Sequence, residues 1–164
     1  MAVLLGVLFF TNTSFTGKSG GGDLQWTNYT EGVQQASATN RKILVDVFTN
    51  WCGWCKKMES DTYSNWDIQH YLSENFVLVK LNAESSVKET VGAEVMTQAE
   101  IAKAYKVNGY PTTIFLDAVG QPITFVSGYM KPDEFMPILR YVAEEYYKRM
   151  SYDNFVKMQN SGPH

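Results

Sequence analysis

The apolar positions fall into short continuous runs separated by stretches with helical spacing. Ile43-Leu44-Val45-Asp46-Val47-Phe48-Thr49 is apolar and rich in β-branched residues, without strict alternation. That is the pattern of a central strand buried on both faces. Phe76-Val77-Leu78-Val79-Lys80-Leu81 predicts a second strand of the same kind. Residues 112–116 and 123–126 predict two more, joined by the hairpin-like connection Asp117-Ala118-Val119-Gly120-Gln121-Pro122.

Between these runs the period changes. Over residues 30–39, Val33 and Ala36 share a helical face, Glu31 sits early where the helix dipole favours an acid, and Asn40 is placed to stop the helix. A helix follows Cys52 and Cys55 to about residue 60. Asn65 offers a cap to another, with Ile68, Tyr71 and Leu72 on one face. Residues 83–96 are polar and read as irregular. Thr97 and Glu100 form a capping-box pattern that opens a helix with Ile101, Ala104 and Tyr105 inward. Val107-Asn108-Gly109-Tyr110-Pro111 breaks it. Pro132 suits a first helical position, and Pro137 either kinks the last long helix or marks its true start. Tyr141, Val142, Glu145 and Tyr146 continue that spacing, and residues 151–158 read as a short extra helix. Strand-helix-strand units followed by a hairpin and a helix predict an α/β fold, a central mixed sheet flanked by helices on both faces.

The 164 residues suffice for one domain, expected over residues 24–150 with an extension over 151–164. The first 23 residues differ. Residues 2–10 are continuously apolar, too short to span a bilayer but of the length of a signal-peptide core. No Lys or Arg precedes the run, and no small-x-small cleavage pattern follows it, so an edge strand is the competing reading. The preferred expectation is an export signal or anchor remnant, with the Gly-rich residues 11–23 as linker.

Hydrophobic residues at 45% and aromatics at 14% fit a packed core, and a net charge of −3 with no basic block argues against nucleic-acid partners. Two cysteines are too few for a structural disulfide framework or a four-cysteine zinc site. Their Cys-x-x-Cys spacing leaves metal binding, redox exchange and coincidence open. Metal binding needs further ligands, and the histidines are His70, in a helical stretch, and the terminal His164. Redox exchange needs a thiol ionised near neutral pH, which free N–H groups at a helix start supply. Cys52 occupies that start and is the expected attacker. Cys55, one turn on and expected to be less exposed, would resolve the mixed disulfide, with Gly53 and Trp54 setting the turn.

Several motifs in order carry a family resemblance. Trp51-Cys52-Gly53-Trp54-Cys55-Lys56 resembles the Trp-Cys-Gly-Pro-Cys-Lys of thioredoxin-fold proteins, with Trp54 in place of proline. Asp46 lies six residues before Cys52, Val79-Lys80-Leu81-Asn82 matches the strand carrying the family's lysine, and Val107 to Thr112 matches the cis-proline loop. Gly128 matches the glycine after the hairpin. The resemblance spans residues 26–148 and implies a thioredoxin-like fold. It also implies that Asp46 is a buried carboxylate of raised pKa that assists proton transfer at Cys55, that Lys80 is its neighbour, and that Tyr110 and a cis Pro111 present backbone to substrate. Trp51 and Trp54 either pack or, with Gly53, form an apolar platform for extended substrates. Residues 82–111 are longer than a minimal member needs, and the proline usual in the following helix is absent.

With Trp54-Cys55-Lys56-Lys57-Met58-Glu59 and Gly128-Tyr129, the chain looks most like bacterial extracytoplasmic thioredoxin-like proteins. It is similar to the C-terminal domain of the transmembrane thiol-disulfide interchange reductase. The implied function is reduction of protein disulfides in the periplasm by a monomer, without cofactor or metal, recharged by a membrane thiol-disulfide electron carrier. The alternatives are a disulfide oxidant or isomerase using the same cysteines, a thioredoxin-fold binding module or holdase, and a metallochaperone.

Overall fold

The computed structural model describes residues 24–161, so the expected signal and linker over 1–23 lie outside the described residues. Five strands form one mixed sheet in the order β1-β3-β2-β6-β7. β1 (Trp26–Thr27) and β2 (Lys42–Phe48) run parallel to β3 (Phe76–Asn82), while β6 (Thr112–Leu116) is antiparallel to β2 and to β7 (Pro122–Ser127).

Alternation along the central strands sorts the core into two layers. Ile43, Val45 and Val47 of β2 point, with Val77, Val79 and Leu81 of β3, toward α1 (Tyr29–Thr39) and α4 (Gln98–Ala104). Leu44, Leu78 and Phe115 point the other way, under Met58 of α2 (Gly53–Met58), Ile68 and Leu72 of α3 (Trp66–Asn75), and Phe135, Leu139 and Val142 of α5 (Pro132–Ala143). The same parity puts Asp46 and Lys80 on the second layer, beneath the segment that carries the cysteines.

The helix ends follow their capping residues. The Asn28 side chain accepts from the Glu31 N–H, the Asn65 side chain from Asp67 and Ile68, and Thr97 and Glu100 close the expected capping box. Asn40 stops α1 in the left-handed region, with φ +52°.

Several expectations are corrected. Residues 83–96 are not irregular: β4 (Lys88–Val91) and β5 (Glu94–Thr97) form a hairpin about Gly92-Ala93, with Gly92 at φ +62°. Its buried side chain is a glutamate, Glu89, so the usual apolar alternation is missing. In α4 it is Ala102, not Ala104, that joins Ile101 in the core, because the short helix lays its 101–102 edge on the sheet and ends before Ala104 is covered. The helix after the cysteines runs past residue 60 as a π-helical turn, Glu59–Tyr63. α5 starts at Pro132 and contains Pro137, so Pro137 is not its start. Glu145 and Tyr146 leave the helix: Glu145 turns to φ +60°, where Lys42 Nζ meets its carboxylate at 3.0 Å, and a 3-10 turn, Tyr146–Lys148, follows. α6 (Tyr152–Asn160) then docks through the buried Phe155.

Candidate active site

The candidate site forms where β2 gives way to α2. Cys52 is the N-cap of α2 and is disulfide-bonded to Cys55. The Cys55 N–H points at Cys52 Sγ, 3.1 Å away, and the Lys56 N–H reaches the Cys52 carbonyl. The sulfur therefore sits at the positive end of a helical segment, where an anion is favoured. The expected order of exposure is reversed in this disulfide-bonded form. Cys52 is 4% exposed, whereas Cys55 is half-buried. A hydrogen bond from the Cys52 N–H to the Thr49 carbonyl folds Cys52 onto the end of β2, and Cys55 lies one turn out along the helix. Gly53, the first helical residue, is exposed, with open space around it.

Beneath this segment lies a charged network. Asp46 is 2% exposed, and the parallel register of β2 and β3 sets it beside Lys80. Asp46 Oδ2 lies 2.7 Å from Lys80 Nζ, and Oδ1 accepts from the Tyr63 hydroxyl at 3.3 Å. The Lys80 ammonium also meets Glu59 Oε2 at 2.5 Å and sits 4.3 Å from the centroid of a Trp26 ring. Burial pushes the Asp46 carboxyl above its usual range, and the attraction of Lys80 only partly offsets this. Burial works against the Lys80 charge, but Asp46 and Glu59 outweigh it and hold its pKa above the ordinary value. The Tyr63 hydroxyl is pushed well up by burial and by Asp46. A cavity of about 330 Å³, lined in part by Trp26, Glu59 and Tyr63, opens beside the network.

Around the disulfide stand exposed rings. Trp51 is 66% and Trp54 57% exposed, so neither packs into the core. The Trp51 indole N–H lies 3.0 Å from both carboxylate oxygens of Glu84, and its ring meets Tyr110 edge-on at 6.0 Å. Tyr110 is joined to Pro111 by a cis peptide bond, and the Gly128 N–H, at φ +97°, donates to the Pro111 carbonyl. Trp54 lies against Tyr129.

The sequence-predicted residues thus gather in two groups: Trp51, Cys52, Gly53, Trp54, Cys55, Tyr110 and Pro111 around the disulfide, and Asp46 with Lys80 below it. Sequence reasoning missed Glu59, Tyr63, Glu84 and Tyr129. Glu59 could have been found, since it stands one helical turn after Cys55 and its backbone N–H bonds the Cys55 carbonyl. Tyr63 could not, because it reaches Asp46 only by way of the π-helical turn. Among the described residues, no group of three or more His, Cys, Asp or Glu is arranged to hold a metal ion.

The chain is similar to several known proteins. The disulfide bond reductase DsbH of Chlamydia pneumoniae is 26% identical over 102 residues, covering 62% of this chain and 61% of that protein. The thiol:disulfide interchange protein DsbD of Ralstonia nicotianae is 32% identical over 111 residues, covering 67% of this chain and 17% of that protein. The chain therefore spans less than two thirds of each. The solution structure of a thioredoxin from Thermus thermophilus superposes with a TM-score of 0.61 at 26% identity, over 73% of this chain and 87% of that one. The family model for the thioredoxin-like domain matches residues 29–143, from the first residue of α1 to the last of α5, and the chain belongs to that family.

Proposed function

We propose that the protein is a thiol-disulfide oxidoreductase that reduces protein disulfides outside the cytoplasm. The observation that carries this reading is Cys52 as N-cap, its sulfur receiving the Cys55 N–H while bonded to Cys55. In the reduced protein that donor and the helix dipole hold Cys52 as thiolate. The thiolate attacks one substrate sulfur, and the substrate S–S bond breaks. The leaving thiolate takes a proton, and a mixed disulfide forms. Cys55 then loses its proton, attacks Cys52 Sγ and expels the second substrate thiol. The substrate gains two electrons and two protons, and the Cys52–Cys55 disulfide is restored.

Asp46 is the proposed proton acceptor for Cys55. Burial raises its pKa toward the working pH, as proton transfer requires. Lys80, Glu59 and Tyr63 tune that pKa, and Glu59 and Tyr63 line a cavity beside them. Trp51, Trp54, Tyr110 and Pro111 form the substrate platform, with Gly53 leaving room above the first turn. A membrane-borne dithiol carrier recharges the pair, and the protein acts as a monomer in the bacterial periplasm. The name of the DsbH relative, a disulfide bond reductase, favours this direction of electron flow. Among the described residues, no helix is long and apolar enough to cross a membrane.

The test is single-turnover reduction of insulin by the pre-reduced protein. Cys52→Ser abolishes it, and Cys55→Ser accumulates covalent mixed disulfide. A reduction potential near about −270 mV supports the reductant, whereas one near about −120 mV reverses the direction. The exposed Trp51 and Trp54 favour a second reading, a binding module, which predicts that substrate capture survives loss of both cysteines.

A further inference from the structure

The residue between the two cysteines has a support of its own. Trp54 belongs to neither core layer and lies against the Tyr129 ring, centroids 5.6 Å apart and planes 34° apart. Tyr129 is in turn held from two sides. Its hydroxyl donates to Asp61 Oδ2 at 3.0 Å. The same oxygen lies 2.5 Å from Lys57 Nζ, which sits 5.4 Å from the centroid of the Tyr129 ring. The neighbours of Tyr129 are tied down as well, the Gly128 N–H to the Pro111 carbonyl and the Met130 carbonyl to the Thr62 hydroxyl. Ser60 Oγ completes the cluster by donating to Asp61 Oδ1 at 2.8 Å.

Exposed ion pairs of this kind add little to stability. What they decide is where a ring stands. An aromatic surface fixed beforehand spares a partner the entropy of ordering it. The fixed ring here is adjacent in sequence to Cys55 and two residues from Cys52, and its apolar surface is left open.

We propose that Tyr129 and Asp61 are positioning residues that hold the Trp54 indole as an apolar wall beside the Cys52–Cys55 pair. The wall selects polypeptide disulfides flanked by an aromatic or aliphatic side chain over small disulfides that carry none. This rests on the thiol-disulfide reading above and adds to it a substrate class and two residues outside the Cys-x-x-Cys segment. Tyr129 supplies the backing ring, and Asp61 acts through Tyr129 rather than on substrate.

The experiment uses the full chain, reduced beforehand and freed of reductant, under single-turnover conditions. One substrate is insulin, and the other is glutathione disulfide. In Tyr129→Ala the half-saturating insulin concentration rises, and selectivity for insulin over glutathione disulfide falls about tenfold. Tyr129→Phe removes only the hydroxyl's hydrogen bond, whereas Asp61→Ala also removes the Lys57 ion pair and the Ser60 hydrogen bond; each lowers that selectivity about threefold. Asp61→Asn keeps an acceptor oxygen and recovers most of what Asp61→Ala loses. Wild-type selectivity in both Tyr129→Phe and Asp61→Ala overturns the proposal, as does an equal loss toward both substrates. A wild-type protein that reduces neither substrate overturns the thiol-disulfide reading itself, a result distinct from any change of ratio among the variants.

Discussion

Asp46 and Lys80 sit at matched positions on adjacent parallel strands, carboxylate to ammonium at 2.7 Å, with Glu59 closing on the same ammonium from the segment that carries the cysteines. The lysine is thus shared between a buried acid and a surface acid. Because burial raises the Asp46 pKa in the fold, ionising Asp46 opposes folding. Its contribution to stability is full below the ordinary carboxylate pKa, about 4, and is lost as the pH rises through the raised value. Asp46→Asn is therefore expected to flatten this part of the Tm-against-pH curve and to match or exceed wild type in Tm at pH 8. The same substitution should slow release of the mixed disulfide about 100-fold. A wild-type rate of release would remove Asp46 from proton transfer.

Glu59 is one of the groups that push the Asp46 pKa up, through charge repulsion. Glu59→Gln should therefore lower that pKa and move the pH profile of the resolving step to lower pH. The measurement is the decay rate of a mixed disulfide between pH 5 and 9. A shift to higher pH would show that Glu59 acts mainly by holding Lys80 in place against Asp46.

Glu89, 4% exposed, pins the β4–β5 hairpin to the first turn of α1. It accepts from the Thr30 N–H at 3.0 Å, from Thr30 Oγ1 at 2.6 Å and from Gln98 Nε2 at 2.8 Å. Burial works against its charge, yet these bonds prevail and hold its pKa below the usual range. A depressed pKa contributes stability above the unfolded value that is lost as the pH falls through the folded one. The hairpin should therefore loosen at acid pH before the sheet does, read as faster amide exchange at Thr90, whose N–H bonds Thr30 Oγ1. Glu89→Ala should cost about 1–3 kcal/mol at neutral pH in chemical denaturation.

Gly32 lies in α1 where the helix presses on β3. A Cβ built there would stand 2.2 Å from Val79 Cγ2 and 3.3 Å from Thr27 Cγ2. Val79 is fully buried in a central strand, so it has nowhere to move. Gly32→Ala should destabilise the protein by about 1–3 kcal/mol despite the better helix propensity of alanine, as measured by urea unfolding. A stabilised variant would mean that α1 can lift from the sheet.

The central strands and most helices were legible because burial on both faces and 3.6-residue spacing leave an unambiguous trace. Residues 43–49 and 76–81 carry it in their apolar runs, and Thr97 with Glu100 in its cap. The cysteine pair at a strand-to-helix transition pointed to redox chemistry, and the matching positions of Asp46, Lys80 and Pro111 placed the rest. What the chain's own pattern hid was set by contacts far apart in sequence. The β4–β5 hairpin buries a glutamate held by Thr30 and Gln98, so no apolar alternation marks it. Tyr63 meets Asp46 because a π-helical turn rotates it there, and Tyr129 backs Trp54 because the loop after β7 is tied to Pro111 and to Asp61. Local sequence determines which elements form, because propensity and periodicity act within a few residues. Which side chains share a proton or brace a ring is decided by sheet register and helix docking, which bring together residues far apart along the chain.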